Sequence, residues 1–381
     1  MNRITIDLDA LKHNLQAVNG MMDRHGATWS LVVKMLCGHA DTLRALQSLG
    51  VHSMADSRLA NLRAVERVVP DFESWYLRLP HRSAIPDIVS LADVSLNSET
   101  EIIEALDAEA RRQDRLHRII VMIELGDLRE GVLPGSLVKF YKRIFRLRNV
   151  NVLGIGANLG CLSGAVPNID QFMQLVLYKE LLELKFDHRL PMISAGSSIV
   201  LPLLEAGQVP AGINHFRIGE AVFLGTDLVN GGTLPGMRDD VITVEAEIVE
   251  IKEKGLMPLG DTTGLTPFEP LDNDSTPGQR GYRAIVTLGQ LDTEVGGLTP
   301  LDREHQIAGA SSDLTVVNVG SEPRDLRIGG SIRFRPNYGA TLRLMNNPYM
   351  ERVVVPSPDR FAADLPDEDA QAIPRVLGPA D

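Results

Sequence analysis

The chain predicts an α/β fold, a (β/α)8 TIM-type barrel followed by a C-terminal all-β domain. Three observations carry that expectation. From residue 29 to about 225, short apolar or β-branched runs alternate with longer stretches of helical period. The runs number eight, which suits a closed parallel barrel better than an open sheet. After Gly225 the texture changes to strand-like alternation broken by Gly/Pro/Asp-rich turns.

The strand candidates begin with 29–34 (WSLVVK), 53–56 (SMAD), 74–79 (SWYLRL) and 93–97 (DVSLN). They continue with 118–125 (RIIVMIEL), 152–158 (VLGIGAN), 190–196 (LPMISAG) and 215–225 (HFRIGEAVFLG). Between them, 98–112 reads as a helix capped by Ser98, with Ile102, Ile103, Leu106 and Ala110 at helical spacing. A second helix, 170–186, places Phe172, Leu175, Val176, Leu181 and Leu182 on one side. The barrel is expected over 8–228 and the β domain over 229–355, with strands at 241–249, 282–288, 306–309, 314–319 and 331–335 and no helix among them. Residues 2–7 alternate like a strand and are expected to join the β domain. The acidic, Pro-rich tail 356–381 lacks periodicity and is expected to be loosely ordered.

Composition narrows the function classes. The 381 residues are 44% hydrophobic and 23% charged, an ordinary globular balance. A net charge of −12 argues against a nucleic-acid binder, which needs a basic surface to meet phosphates. No run long and apolar enough to cross a membrane is present, and the N-terminus has no signal-peptide core. Two cysteines, Cys37 and Cys161, provide no disulfide framework and fit a reducing compartment, so a cytoplasmic location is expected. The nine histidines show no metal-ligand spacing, and no metal is expected.

In such a barrel, chemistry gathers where strands end. Lys34 closes the first run and is followed by the polar turn Cys37-Gly38-His39. A lysine there either reaches into solvent or, if desolvated, loses its proton and becomes a nucleophile for carbonyls. After the seventh strand, Ser194-Ala195-Gly196-Ser197-Ser198 leads into a helix, and small residues there let backbone N–H groups approach an anion. In the eighth, Phe216-Arg217-Ile218-Gly219-Glu220 brings an arginine and a glycine towards the same rim. An ordinary helix cap looks the same as either signal alone. An amine after strand one combined with an anion cradle at strands seven and eight is what pyridoxal phosphate requires.

On these segments, together with MADSR, VSLNSE, ELGDLREGV, GIGANLGC, TLGQLDTE and GASSDLTVV, the chain resembles the fold-type III pyridoxal phosphate enzymes of the alanine racemase family, and more closely their ornithine racemase branch. The resemblance implies an amino-acid racemase with pyridoxal 5'-phosphate as cofactor, a basic amino acid such as ornithine or lysine as substrate, and a homodimer with shared active sites. It puts Lys34 at the Schiff-base position and Arg217 opposite the pyridine nitrogen. Ser197 or Ser198, with the backbone of Gly219 and Glu220, falls on the phosphate cradle. Arg129 falls where the family holds the cofactor phenolate and the substrate carboxylate.

Two departures stand out. Cys37 and Gly38 replace the tyrosine-bearing phosphate loop, leaving Cys37 either to donate weakly to phosphate or to pack. The turn Pro258-Leu259-Gly260 lacks the family's second base, a tyrosine, and Asn158 stands where a histidine orients it. Asp261, Tyr338 in an Asn337-Tyr338-Gly339 turn, and Cys161 are the candidates for that base. Asp292, Glu294 and Asp313 are candidates for pairing with a cationic substrate side chain, since a buried unpaired ammonium is costly. Competing expectations are an alanine or broad-specificity racemase, a decarboxylase or aldolase on the same scaffold, and a non-catalytic cofactor carrier. The decarboxylase signature and an aldolase His/Asp pair are not found, and carrier-type barrels lack a second domain.

Overall fold

After strand β1 (Arg3–Asp7) and the helix Leu8–His25, eight parallel strands follow and close on one another in a computed structural model. The structure describes residues 2–69, 71–160, 162, 164–258, 260, 268, 278–366, 373 and 376–377. The barrel strands are β2 (Thr28–Val32), β3 (Ser53–Asp56), β4 (Glu73–Tyr76) and β5 (Val94–Asn97), then β6 (His117–Met122), β7 (Val150–Ala157), β8 (Met192–Ala195) and β9 (His215–Ile218). Closure pairs β2 with β9, setting Thr28 opposite His215 and Ser30 opposite Arg217. All eight expected strands are present, because a strand covered on both faces must be apolar almost throughout and so stands out in the sequence.

Two local expectations give way. The run 215–225 is not one strand: β9 stops at Ile218, and Glu220–Leu224 turns helical after Gly219. Gly219 leaves no room for a side chain, since a Cβ there would lie 2.7 Å from the carbonyl oxygen of Val32. The fifth-strand helix runs Thr100–Arg112 with Glu99 at its N-cap and no side-chain cap, so Ser98 does not cap it. By contrast, Ile169–Phe186 begins with a reciprocal capping box between Asn168 and Gln171. Its inner face buries Phe172, Leu175 and Leu182, whereas Leu181 is exposed.

The barrel interior is apolar in one layer and polar in others. Val32, Ala55, Trp75, Val94, Leu96, Ile120, Met122, Leu153 and Met192 form one buried cluster drawn from seven strands. Ser30, Ser53, Glu73 and Ser194 are also buried and lie on four of the same strands with the same alternation, and His215 and Arg217 are buried on β9. Residues beyond Ser357 return to this unit. The tail carries a helix, Pro358–Asp364, with Phe361 buried. Further on, Ile373 accepts from the His52 amide at 2.7 Å, and Val376 and Leu377 pack against the barrel cluster.

The other unit gathers residues 1–10, 35–37 and 239–357. Its strands are β10 (Ile242–Gly255), β11 (Arg280–Val286), β12 (Leu298–Pro300), β13 (Gln306–Ala310), β14 (Thr315–Asn318), β15 (Ser331–Pro336) and β16 (Glu351–Val355). They run in the order β12-β15-β10-β11-β14-β13, and β1 pairs antiparallel with β10 and parallel with β16. Among the described residues, one α-helix interrupts the strands of this unit after β10 and before β16. Tyr338–Asn346 is helical, with the Asn337 side chain accepting from the Ala340 amide, so Tyr338 opens a helix instead of sitting in a tight turn.

Candidate active site

Lys34 follows β2 directly and starts the 3-10 turn Lys34–Leu36. Met35 and Leu36 are buried and anchor the turn, and Cys37 adopts a left-handed backbone (φ 49°). Lys34 is half-buried. Two acids feel its charge. Burial pushes the Asp56 carboxyl up to about 6, against hydrogen bonds from the Arg58 amide (2.7 Å) and Asn61 (3.1 Å) and the positive charge of Lys34. Burial pushes Glu220 up to about 7, and Lys34 again opposes the rise. Tyr76, opposite Asp56 on β4, has its hydroxyl raised by burial, with Arg78 opposing and Asp56 adding to the shift. Two carboxyls raised towards neutrality, Asp56 and Glu220, thus lie within reach of the Lys34 charge.

Arg217 is 4% exposed and holds three strands together at the same rim. Its Nη1 donates to the carbonyl (2.7 Å) and hydroxyl (2.5 Å) of Ser194 on β8. Its Nη2 donates to the Ala157 carbonyl (2.9 Å) on β7 and to Oδ1 of Asn158 (3.0 Å). These four acceptors, among the described residues, are neutral, so they hold the guanidinium without cancelling its charge.

Asn158 then donates to Glu130, which also accepts from Arg129, at 2.7 Å for Nη2 to Oε1. Burial pushes the Glu130 carboxyl up, but the hydrogen bond and charge of Arg129, with Asn158, hold it below the usual range. The loop that carries both residues folds back tightly at Gly131, where φ is +153° and a Cβ would lie 2.2 Å from the Glu124 amide nitrogen. Arg129 remains partly exposed.

At the expected phosphate cradle, the Ser198 hydroxyl accepts from the amides of Gly219 (3.4 Å) and Ala221 (3.0 Å). Ser197 precedes it in extended backbone. The barrel rim thus brings together Lys34, Asn158, Ser197, Ser198, Arg217, Gly219 and Glu220, with Arg129 joined through Glu130. Sequence reading gave no role to Asp56, Glu130, Ser194 or His215. Asp56 lay in the quoted MADSR segment, but nothing local marks it as facing Lys34.

The remaining candidates belong to the β unit. Asp292 is engaged within it, accepting from the Gly289 amide (3.0 Å) and Asn347 (3.1 Å). Glu294 pairs with Arg343 at 3.5 Å, and both are exposed. Asp313 is exposed, and Tyr338 is half-buried. Asp261 and Cys161 lie outside the described residues. No cluster of metal-ligating side chains occurs among the described residues.

A lysine whose charge reaches two buried acids, with a buried guanidinium and a Gly/Ser turn on the adjoining strands, defines a parallel α/β barrel with a polar, cation-bearing rim. Residues 6–227 match the alanine racemase N-terminal domain model, so the chain belongs to the alanine racemase family and is an isomerase of the racemase class. It is 35% identical to an ornithine racemase of Acetoanaerobium sticklandii over 92% of its length and 98% of the relative's. It is 34% identical to a lysine racemase of Thermotoga maritima over 93% of its length and 99% of the relative's. Among solved structures, the fold is similar to alanine racemase of Corynebacterium glutamicum, at a TM-score of 0.69 and 17% identity over 93% of this chain and 99% of that one. It is similar also to alanine racemase of Bartonella henselae with covalently bound pyridoxal phosphate, at a TM-score of 0.67 and 15% identity over 93% of this chain and 99% of that one.

Proposed function

We propose that this chain is a pyridoxal 5'-phosphate-dependent racemase that interconverts the L and D forms of basic amino acids, ornithine and lysine first among them. The carrying observation is full-length similarity to an ornithine and a lysine racemase, joined to the placement of Lys34 and Arg217 on one barrel rim. The donor set suits the cofactor: an amine for its aldehyde, small residues and serines for its phosphate, and a permanent cation for its ring. Lys34 would hold the aldehyde, Ser197, Ser198, Gly219 and Glu220 the phosphate, and Arg217 and Asn158 the ring side.

When bound, pyridoxal phosphate supplies an electron-withdrawing ring that acidifies the α-proton of an attached amino acid. Lys34 removes or returns that proton on its own face. Arg217 offers the ring nitrogen a charge that never gives up a proton, which limits electron withdrawal and favours proton return over other outcomes. Arg129 orients the substrate carboxylate. On the opposite face the base is Tyr338 or Asp261. Asp313 or Asp292 pairs with the substrate's side-chain ammonium. The working form is a cytoplasmic homodimer, a reading supported by the family and by the low cysteine content.

A chiral assay over the twenty L-amino acids with added pyridoxal phosphate tests this. We expect D-ornithine or D-lysine to form fastest. A cofactor-loaded protein that inverts neither would overturn the reading.

A further inference from the structure

We infer that the polar groups buried inside the barrel form one hydrogen-bonded relay of fixed donor direction, running from Arg217 through Ser194, His215, Ser30 and Ser53 to Glu73, and that His215 is a positioning residue for Arg217. The distances are continuous. Ser194 Oγ lies 2.7 Å from His215 Nδ1, His215 Nε2 lies 3.1 Å from Ser30 Oγ, and Ser30 Oγ lies 2.8 Å from Ser53 Oγ. Ser53 Oγ then lies 3.1 Å from Glu73 Oε1. The three serines and His215 are fully buried, Glu73 is 2% exposed and Arg217 4%.

The direction follows from donor and acceptor roles along the relay. Arg217 Nη1 donates to Ser194 Oγ, which leaves the hydroxyl proton available to His215 Nδ1. The ring is neutral, because burial and then the nearby Arg217 charge push its pKa well down, and its single N–H is on Nε2. That N–H donates to Ser30, Ser30 to Ser53, and Ser53 to the carboxylate. From the far end, burial pushes the Glu73 carboxyl up, and hydrogen bonds from the Trp75 indole N–H (2.6 Å), the Leu377 amide (2.7 Å) and Ser53 oppose that rise and use it as an acceptor. The carboxylate end sets the polarity: Ser53 gives its one proton to Glu73, so Ser30 donates to Ser53 and His215 Nε2–H to Ser30, and the arginine end is compatible with that order. Trp75 also stacks on the His215 ring, with centroids 4.5 Å apart and planes at 11°, which fixes the ring's plane.

The consequence for Arg217 rests on the racemase reading. Ser194 supplies two of the four neutral acceptors that aim the guanidinium, and its hydroxyl gives its proton to His215. A carboxylate in place of Ser194 and His215 would hold the arginine equally well but would cancel the charge that makes it useful. Along the relay, Glu73 is the first carboxylate, beyond Ser194, His215, Ser30 and Ser53.

Two measurements on the full chain decide the matter. With ¹⁵N-labelled histidine, the His215 ring should show an unprotonated Nδ1 and a protonated Nε2 at neutral pH, and Ser194→Ala should mix the tautomers. A ring protonated on Nδ1, or on both nitrogens, overturns the relay. In the cofactor-loaded enzyme, His215→Leu should lower kcat by about 10- to 100-fold, typical of a lost support behind a reacting group, with KM little changed. It should also shift the visible band of the bound cofactor. His215→Gln, whose amide can accept from Ser194 and donate to Ser30, should recover part of both. Wild-type kcat and spectrum in folded His215→Leu overturn the positioning role. Should that variant fail to fold, Ser30→Ala takes its place: a smaller shift of the same sign supports the role, and no shift overturns it. A protein that takes up no pyridoxal phosphate brings down the functional reading, while the tautomer measurement still decides the relay.

Discussion

Asn158 bridges two arginines that are far apart in sequence: its side-chain oxygen accepts from Arg217 at 3.0 Å, and its amide nitrogen donates to Glu130, which Arg129 also grips. One neutral amide thus joins a fully buried cation to a half-exposed one through a single carboxylate. Glu130→Gln removes the charge that holds Arg129 and turns an acceptor into a mixed group. We expect kcat/KM for the basic substrates to fall by about tenfold, mainly through KM, because Arg129 loses its fixed orientation. An unchanged KM would show that Arg129 needs no such support.

Lys34→Ala should abolish racemisation, with a loss of about 10³-fold or more, since the same amine is assigned covalent attachment and proton transfer. Borohydride reduction of the wild-type protein in the presence of pyridoxal phosphate should label Lys34. Label elsewhere, with Lys34 untouched, would move the site.

Asp56 offers a pH test. Its carboxyl titrates near 6 in the fold against 3.8 for an unperturbed aspartate. Between those values the folded state holds a proton that the unfolded chain has released, so this group's contribution to stability falls as pH rises through the window and stays lost above it. The penalty is about 3 kcal/mol. Asp56→Asn keeps an oxygen for the Arg58 amide but cannot ionise. Its stability relative to wild type should therefore improve from pH 4 to pH 8 by roughly that amount in urea unfolding. A pH-independent difference would refute the assignment.

Gly219→Ala would drive a methyl group to 2.7 Å from the Val32 carbonyl, backbone against backbone, on the strand pair that closes the barrel. We expect a loss of about 1–3 kcal/mol and weaker pyridoxal phosphate binding, read by thermal unfolding with and without the cofactor.

For substrate choice, Asp292 and Asp313 separate cleanly. Asp292 is tied to Gly289 and Asn347, so Asp292→Asn should lower the melting temperature by a few degrees, and an unchanged ornithine-to-alanine preference would retire it as the partner of the substrate ammonium. Asp313 is exposed, and Asp313→Asn should leave stability alone while reducing that preference if it meets the substrate ammonium. Turnover of ornithine, lysine and alanine by both variants decides between them.

The barrel was legible in the sequence because each strand is covered on both faces, which compels a compact apolar run such as RIIVMIEL. Lys34, Arg217 and the Gly/Ser turn were legible because their placement at strand ends is local. The helix at Tyr338 was not, since Asn-Tyr-Gly reads equally as a turn and only the Asn337 bond to the Ala340 amide reveals a cap. Nor were the interior contacts: Ser30 meets His215 across 185 residues of chain, and no periodicity marks a serine that faces inward. Glu130 and Asp56 belong to the same class, read from sequence as loop and strand-end acids and defined only by the groups that fold against them.

The β unit is assembled from three separate stretches of chain, around residues 1–10, 35–37 and 239–357, and the barrel is likewise stitched from three. Cutting the gene at any single point therefore strands part of one unit on the wrong fragment. A clone covering only residues 8–228 would lack β1, and one beginning at 229 would leave the edge of β10 that β1 covers without its neighbour. The reading frame must be handled whole, and chimeras with related enzymes that exchange one unit need five matched splice sites instead of one.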